Sequence, residues 1–565
     1  MTTDLNLADI QGNVPRAYGR YSFPFARYFF FRIERPAQGR KFVEAVRRRV
    51  TTATPWAKGA KPDCTTNIAF TFMGLWMLEL PVRTLQGMPE EFAEGMKARA
   101  FILGDRDQTL TEDEARQADW CRHWDPIWQE NRRPGGKGEG DVHIWVSLNA
   151  QAASASDLTN PHPELQARTD WLMGLPEAIG GGVTLIAKNG KTGDQPYQSG
   201  SAVFQEVEGM MLPTPKEHFG FTDGIGNPVF EGQYGSDPDA MPVIGNGKLV
   251  KGKDGRIEWQ PLATGEFLLG HPDESQELPP TSTPPEFMHN GTFMAYRKLH
   301  ENVSSFREVV DGEAARFARV MEVPPAEARE TVLAKMCGRW SDGVPLSKVP
   351  TYGEWRAFQV AEGWGGDKAG TLAGFRANLA YIGSSEAADF RYADDMAGLK
   401  CPVGAHLRRV NTRDMLDPMN QAGIDPETGA QPENPAATSA LNNRRRILRR
   451  GLPYGGPKLG TGTDETEQGV VMMILGANLF RQFEFVQQQW IQYGLDFNEG
   501  NNTCPLLGNH GTHKLHPIAS DPSSGKPPYV MSTLKTFVEC RGGDYFFIPS
   551  MTGLRMIAMG IVDPT

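Results

Sequence analysis

Cysteine is scarce and unpatterned in this chain. The six residues, Cys64, Cys121, Cys337, Cys401, Cys504 and Cys540, are scattered through 565 positions with no Cys-x-x-Cys pair. That spacing disfavours a disulfide framework and structural zinc, and it suits reduced thiols in a reducing compartment. Long apolar runs are missing too. The most apolar stretch, 469–480, falls far short of the roughly 20 residues that span a bilayer. The start, Met1-Thr-Thr-Asp-Leu-Asn, has neither the basic residues nor the apolar segment of a signal peptide. A cytoplasmic location with no membrane partner is therefore expected. Positive charge is also in deficit, with a net charge of -10. Nucleic-acid affinity comes from clustered Lys and Arg, so no nucleic-acid partner is expected either.

What is present is enough apolar material, 39% of residues, for an ordinary packed core at a length that suits two large domains or three small ones. Strands are expected at 27–33, 67–72, 142–148, 182–187, 265–270, 292–296, 469–475 and 545–548, and helices at 38–50, 89–103, 163–175, 303–321 and 480–491. The order predicts an α+β fold of two halves, each an antiparallel sheet with helices on one side and a boundary between about 230 and 265. Residues 343–367 and 425–443 read as surface insertions.

Four segments carry candidate chemistry. In His218-Phe-Gly-Phe-Thr-Asp223-Gly224-Ile-Gly226-Asn-Pro228, Asp223 either caps a turn or is presented into a cavity. In Cys401-Pro-Val-Gly-Ala-His406-Leu-Arg408-Arg409-Val-Asn411-Thr-Arg413, the neighbouring cations favour a neutral imidazole at His406, which is the form a metal centre needs. A core histidine is the alternative. The run Arg444-Arg-Arg-Ile-Leu-Arg449-Arg450 reads as a solvated face or a phosphate patch. If extended, it sends Arg449 and Arg450 to opposite faces, so that one reaches a pocket while the other stays in solvent. His510, His513 and His516 read as an incidental loop cluster rather than a metal site.

Taken in order, these segments resemble the dye-decolorizing peroxidases. The match is carried by Leu7-Ala-Asp-Ile-Gln-Gly-Asn13, Gly220-Phe-Thr-Asp223-Gly224, Gly404-Ala-His406-Leu-Arg408-Arg409 and Arg449-Arg-Gly-Leu-Pro-Tyr-Gly455. Glu94-Gly-Met-Lys-Ala-Arg99, Arg481-Gln-Phe-Glu-Phe-Val-Gln487 and Tyr545-Phe-Phe-Ile-Pro-Ser550 support it. Thr412 departs from a frequent Asn-Pro-Arg, and Thr222 and Asn227 vary within the Asp223 loop. The insertions resemble those of the larger subgroup.

The resemblance implies two ferredoxin-like domains: 1–240, carrying the Gly-x-x-Asp-Gly loop, and 262–565, holding most of a haem b. It implies His406 as proximal iron ligand and Asp223 with Arg449 as the distal pair. The expected activity is oxidation of bulky aromatic substrates such as dyes and phenols by hydrogen peroxide, through a ferryl intermediate. Asp223 would shuttle the peroxide proton and Arg449 would stabilise developing negative charge. With an unperturbed carboxylate near ~3.9, dye turnover is expected to be greatest in mildly acidic solution.

Further expectations follow for the rest of the site. A carboxylate, Glu484 or Asp496, would bond the second nitrogen of His406. Arg408, Arg409 and Arg413 would meet the propionates. Met473 and Leu475 would line the distal pocket. Trp340, Trp355 and Trp364 are the first candidates for oxidation of dyes at the surface. A haem-dependent lyase or oxygen-transfer enzyme using the same iron site and a haem-binding or haem-storage protein are the alternatives, and homo-oligomerisation stays open.

Overall fold

The computed structural model describes residues 5–561 apart from 20–21, 108–109, 111–119, 130–140, 238–239, 280, 422–435, 457 and 512. Its centre is built from β-branched and aromatic runs. Phe25–Ile33 (β1) is buried along almost its whole length, as expected of a strand covered on both faces. Cys64–Phe70 (β2) and β1 both pair antiparallel with Ile144–Ala150 (β3). Val183–Leu185 (β4) and Gln198–Ser201 (β5) extend the other edge of β1.

The second half repeats the pattern. Thr292–Glu301 (β6) lies between Gly469–Gly476 (β9) and Val538–Ile548 (β10), and the short strands Leu448–Arg450 (β7) and Pro453–Tyr454 (β8) add to β9. A single pairing, Phe547 with Phe70, joins the halves into one ten-stranded antiparallel sheet of α+β, ferredoxin-like character. The expected strand at 265–270 is instead a tight turn, Thr264–Glu266. Its consecutive apolar residues Phe267, Leu268 and Leu269 are all buried, which a strand with one solvated face would not allow.

Helices cover the sheet. Pro36–Arg47 (α1) buries Gly39, Phe42, Val43 and Val46 on one stripe. Glu164–Ala178 (α2) packs on β3, and Met551–Met559 (α8) lies on α1. A second apolar cluster gathers Val303–Met321 (α3), Pro325–Cys337 (α4), Tyr352–Ala361 (α5), Leu372–Gly383 (α6) and the surroundings of His406–Val410 (α7). Among the described residues no helix is long and apolar enough to cross a membrane.

The stretch 343–367 is not a surface insertion. Trp355 and Trp364 are buried with Trp340 in the second cluster, and the indole nitrogens of Trp355 and Trp364 both donate to Asp342 Oδ2 at 2.9 Å. Glycines and tryptophans here close a core. None of these three indoles is therefore a surface oxidation site. Of the other expected insertion, 425–435 lies outside the described residues. The short helix Ala440–Asn443 that ends it is tied inward by Asn442, which donates to Asn411 Oδ1 at 2.9 Å.

The expected helix at 480–491 forms as two π-helical turns, Leu479–Glu484 and Val486–Ile491. Gln482 reaches out of the first to donate to the carbonyls of Glu266 and Arg446. These turns and α7 face β7 and β9 across the gap between the two apolar clusters, and the candidate site lies in that gap.

Candidate active site

His406 opens α7. Two residues before it, a Cβ on Gly404 would stand 2.1 Å from the Glu499 carboxylate and would displace that side chain. That carboxylate accepts from Arg409 Nη2 at 2.7 Å, while Arg409 Nε donates back to Gly404 O at 2.9 Å, so the turn is locked beneath the imidazole. The segment is helical, and residues four apart share a face. His406 and Val410 accordingly border one cavity. Arg408 and Arg409 point the other way, Arg408 to the Asp395 carboxylate at 2.9 Å and Arg409 to Glu499, and both are fully buried. A reading by strand-like alternation placed them on the cavity side. Of the three arginines expected there, only Arg413 borders it.

The opposite wall comes from the sheet. In the β7–β9 register Arg449 stands beside Ile474 and Arg450 beside Met473. Met472, Ile474 and Arg449 border the cavity, whereas Met473 and Leu475 project into the main core. The expectation for the last two was wrong by one residue, which in a strand means the wrong face. Arg450 does turn away from Arg449. It is buried rather than solvated, however, donating from Nε to Asn13 O at 2.8 Å.

Asp223 arrives on the glycine-flanked loop. Arg449 Nη1 donates to Asp223 Oδ1 at 2.7 Å, and Nη2 donates to Ile225 O at 2.8 Å. The Arg449 backbone N–H donates to Asn227 Oδ1 at 3.0 Å. His406, Asp223 and Arg449 thus border one cavity, and His406 and Arg449 also border a second lobe that adjoins it. Both lobes share walls of Leu299, Val410, Ile447, Met472, Leu507 and Val538. A further opening lies past Asp223 and Arg449, between Tyr18 and Leu379.

Electrostatics mark the cavity as a site for an anionic, metal-bearing group. Burial, with the Arg449 guanidinium adding to it, pulls the His406 imidazole down to about 4, so the ring is neutral near pH 7 and able to ligate. At the Asp223 lobe stand Arg339, Arg413 and Arg446. Burial works against the charge of each, and none forms an ion pair among the described residues. Arg339 Nη2 and Arg413 Nε have no hydrogen-bond partner in this structure. Arg413 even holds a left-handed backbone (φ 50) while stacking 3.7 Å over the Phe390 ring. Buried guanidinium groups without carboxylates are costly unless an anion meets them. A flat apolar macrocycle with carboxylate arms and an iron for His406 fits this lining.

The expected carboxylate partner of His406 is not among its contacts. Glu484 accepts from Arg99 Nη2 and Tyr545 Oη, each at 2.7 Å, and Asp496 accepts from Trp490 Nε1 at 2.9 Å. His406 Nδ1 instead meets Cys504 Sγ at 3.3 Å. Cys504 lies 98 residues further along the chain and carries no local signal. Arg446 lies inside the arginine run already singled out, while Arg339 had no marker. His510 and His516 are each turned to a carbonyl, of Cys504 and Lys335 respectively.

No protein-family model matches the chain. It is 24% identical to Peroxidase 2 of Mycetinis scorodonius across 98% of this chain and 87% of that protein. It is 26% identical to the multifunctional dye peroxidase DyP2 of an Amycolatopsis species, over 60% of this chain and 61% of that one. A fungal DyP-type peroxidase structure from Auricularia auricula-judae superposes with a TM-score of 0.65, covering 98% of this chain and 100% of that one at 19% identity.

Proposed function

We propose that the chain is a member of the dye-decolorizing peroxidases it resembles over nearly its whole length, a haem b peroxidase taking hydrogen peroxide and an aromatic reductant such as a dye or phenol. The observation that carries this reading is the convergence of His406, Asp223 and Arg449 on one cavity, where Arg339, Arg413 and Arg446 stand without carboxylate partners among the described residues. Bound there, haem supplies an iron that accepts electrons from a reductant after being oxidised by peroxide.

The chain's own residues do the rest. His406 Nε2 is the ligand, and Arg339, Arg413 and Arg446 are the partners for the propionates. The Asp223 carboxylate takes the proton from the incoming peroxide oxygen and returns it to the departing one. Arg449, permanently charged, keeps Asp223 oriented and stabilises negative charge on the departing oxygen. The apolar walls exclude bulk water and strengthen both interactions. All six cysteines are buried and none forms a disulfide, which supports a cytoplasmic setting.

The test is reconstitution with haem followed by stopped-flow mixing with peroxide. A Soret band lost in His406→Ala is expected, together with rapid spectral change in the wild type and slow change in Asp223→Ala and Arg449→Ala. Stable haem binding with no spectral response to peroxide would favour a storage role instead.

A further inference from the structure

The imidazole that faces the cavity makes its other contact with sulfur. His406 Nδ1 lies 3.3 Å from Cys504 Sγ, within the reach of a hydrogen bond to sulfur, and Cys504 is fully buried. The nearby acids are engaged elsewhere: Glu484 by Arg99 and Tyr545, Asp496 by the Trp490 indole, and Glu499 by Arg409. Cys504 itself is rigidly held. Its backbone N–H donates to Ile491 O at 2.7 Å, and its carbonyl accepts from the Gly508 N–H at 2.9 Å and meets His510 Nε2 at 3.1 Å.

A neutral ring that ligates through Nε2 carries its proton on Nδ1, and the sulfur 3.3 Å away is then the acceptor of that N–H.

We propose that Cys504 is the positioning residue of His406. Its sulfur accepts the Nδ1–H bond and fixes the tautomer and ring orientation that ligation through Nε2 requires. Sulfur is a weak acceptor, whereas hydrogen bonds to a carboxylate are roughly twice as strong as neutral ones. The ring in this chain is consequently a weaker electron donor than one bonded to a carboxylate. The inference rests on the haem reading above for its spectroscopic consequences, but not for the contact itself.

Two measurements separate the two claims. In the haem-free full chain, ¹⁵N NMR of labelled histidine, with the His406 signal assigned by its loss in His406→Gln, should show Nδ1 protonated and Nε2 bare, and the tautomer should change in Cys504→Ala. In the haem-loaded chain, resonance Raman of the ferrous state should show the iron–histidine stretch move to higher frequency in Cys504→Asp, with a more negative midpoint potential. Cys504→Ser should stay near the wild type, and Cys504→Ala should lose haem about 10- to 100-fold faster. An Nε2-protonated His406 in the wild type, or a stretch and potential unchanged in Cys504→Asp, would overturn the proposal. The expected tautomer in a chain that takes up no haem would refute the peroxidase reading and leave the Cys504 contact standing.

Discussion

Arg449 donates to Asp223 at 2.7 Å although 226 residues separate them. Each side chain is 28% exposed, so solvent screens the pair and its contribution to stability is modest, about 0–1 kcal/mol. Its importance is geometric. With Ile225 O and Asn227 Oδ1 as further anchors, the bond clips the glycine-rich loop onto β7 and aims a carboxylate and a guanidinium at the same space.

From this pairing, Asp223→Asn and Arg449→Leu should each slow the reaction of the haem-loaded protein with peroxide by about 10²- to 10³-fold. Both should retain haem and change unfolding free energy by no more than about 1 kcal/mol. Stopped-flow absorbance and urea denaturation report the two quantities. An Asp223→Asn protein reacting at the wild-type rate would remove the carboxylate from the proton path.

The arginine end of the cavity gives opposite effects in the two forms of the protein. Arg446 donates only to carbonyls such as Gly247 O at 2.9 Å, and its burial first, then the neighbouring Arg413 and Arg449, disfavour its charge. Arg446→Gln should therefore raise the denaturation midpoint of the haem-free chain. The same change should weaken haem retention by about 10- to 100-fold, since a charge-assisted bond is worth about 1.5–3 kcal/mol. Haem transfer to an acceptor protein measures the second effect. Lower stability without haem and unchanged transfer would contradict the assignment.

Much of this was legible in the sequence where local pattern and the family resemblance act together. Asp223, His406 and Arg449 were each identified, and the cavity brings them together. What misled was periodicity applied with the wrong element or the wrong parity. Arg408 and Arg409 were assigned by alternation, yet they lie on a helical turn and face inward. Met473 and Leu475 were placed on the cavity face of a true strand that presents Met472 and Ile474 instead. The tryptophans of 340–364 looked exposed because glycine-rich surroundings usually are, but Asp342 gathers the Trp355 and Trp364 indoles into a core and Trp340 donates to Val349 O at 2.8 Å. Cys504 and Arg339 reach the site only through tertiary packing, which no local pattern encodes.

Asp342 is accordingly a structural acid. Its Oδ2 accepts from Trp355 Nε1, Gln359 Nε2 and Trp364 Nε1, each at 2.9 Å. Asp342→Ala leaves three buried donors without a partner and should cost about 3 kcal/mol or more in urea denaturation. Loss of less than about 1 kcal/mol would mean that the donors find other acceptors.

Stability should also carry a pH signature from Asp544. Burial raises its carboxyl from the ordinary 3.8 to about 7, despite hydrogen bonds from the backbone N–H groups of Met96 and Tyr545. Between those two values the folded chain binds a proton that the unfolded chain has lost. The stabilisation from this group is thus complete below about pH 4 and is lost as pH rises through about 7. Asp544→Asn keeps an acceptor for both N–H groups and cannot ionise. Its melting temperature relative to wild type should be higher at pH 8 than at pH 5, and a difference that does not change with pH would refute the assignment.

The two faces of β9 give the most direct check on where the cofactor lies. Met472 borders both lobes of the cavity, while Leu475, three positions on, is fully buried in the main core. Filling the cavity with Met472→Trp should abolish the Soret band and leave the chain folded, because the added ring occupies space that no side chain fills. Leu475→Ala should do the reverse, costing about 2–5 kcal/mol of stability through the void it opens while leaving the haem spectrum of the remaining folded protein unchanged. If Met472→Trp bound haem with a wild-type spectrum, the cavity beside His406 would not be the haem site, however well its residues suit one.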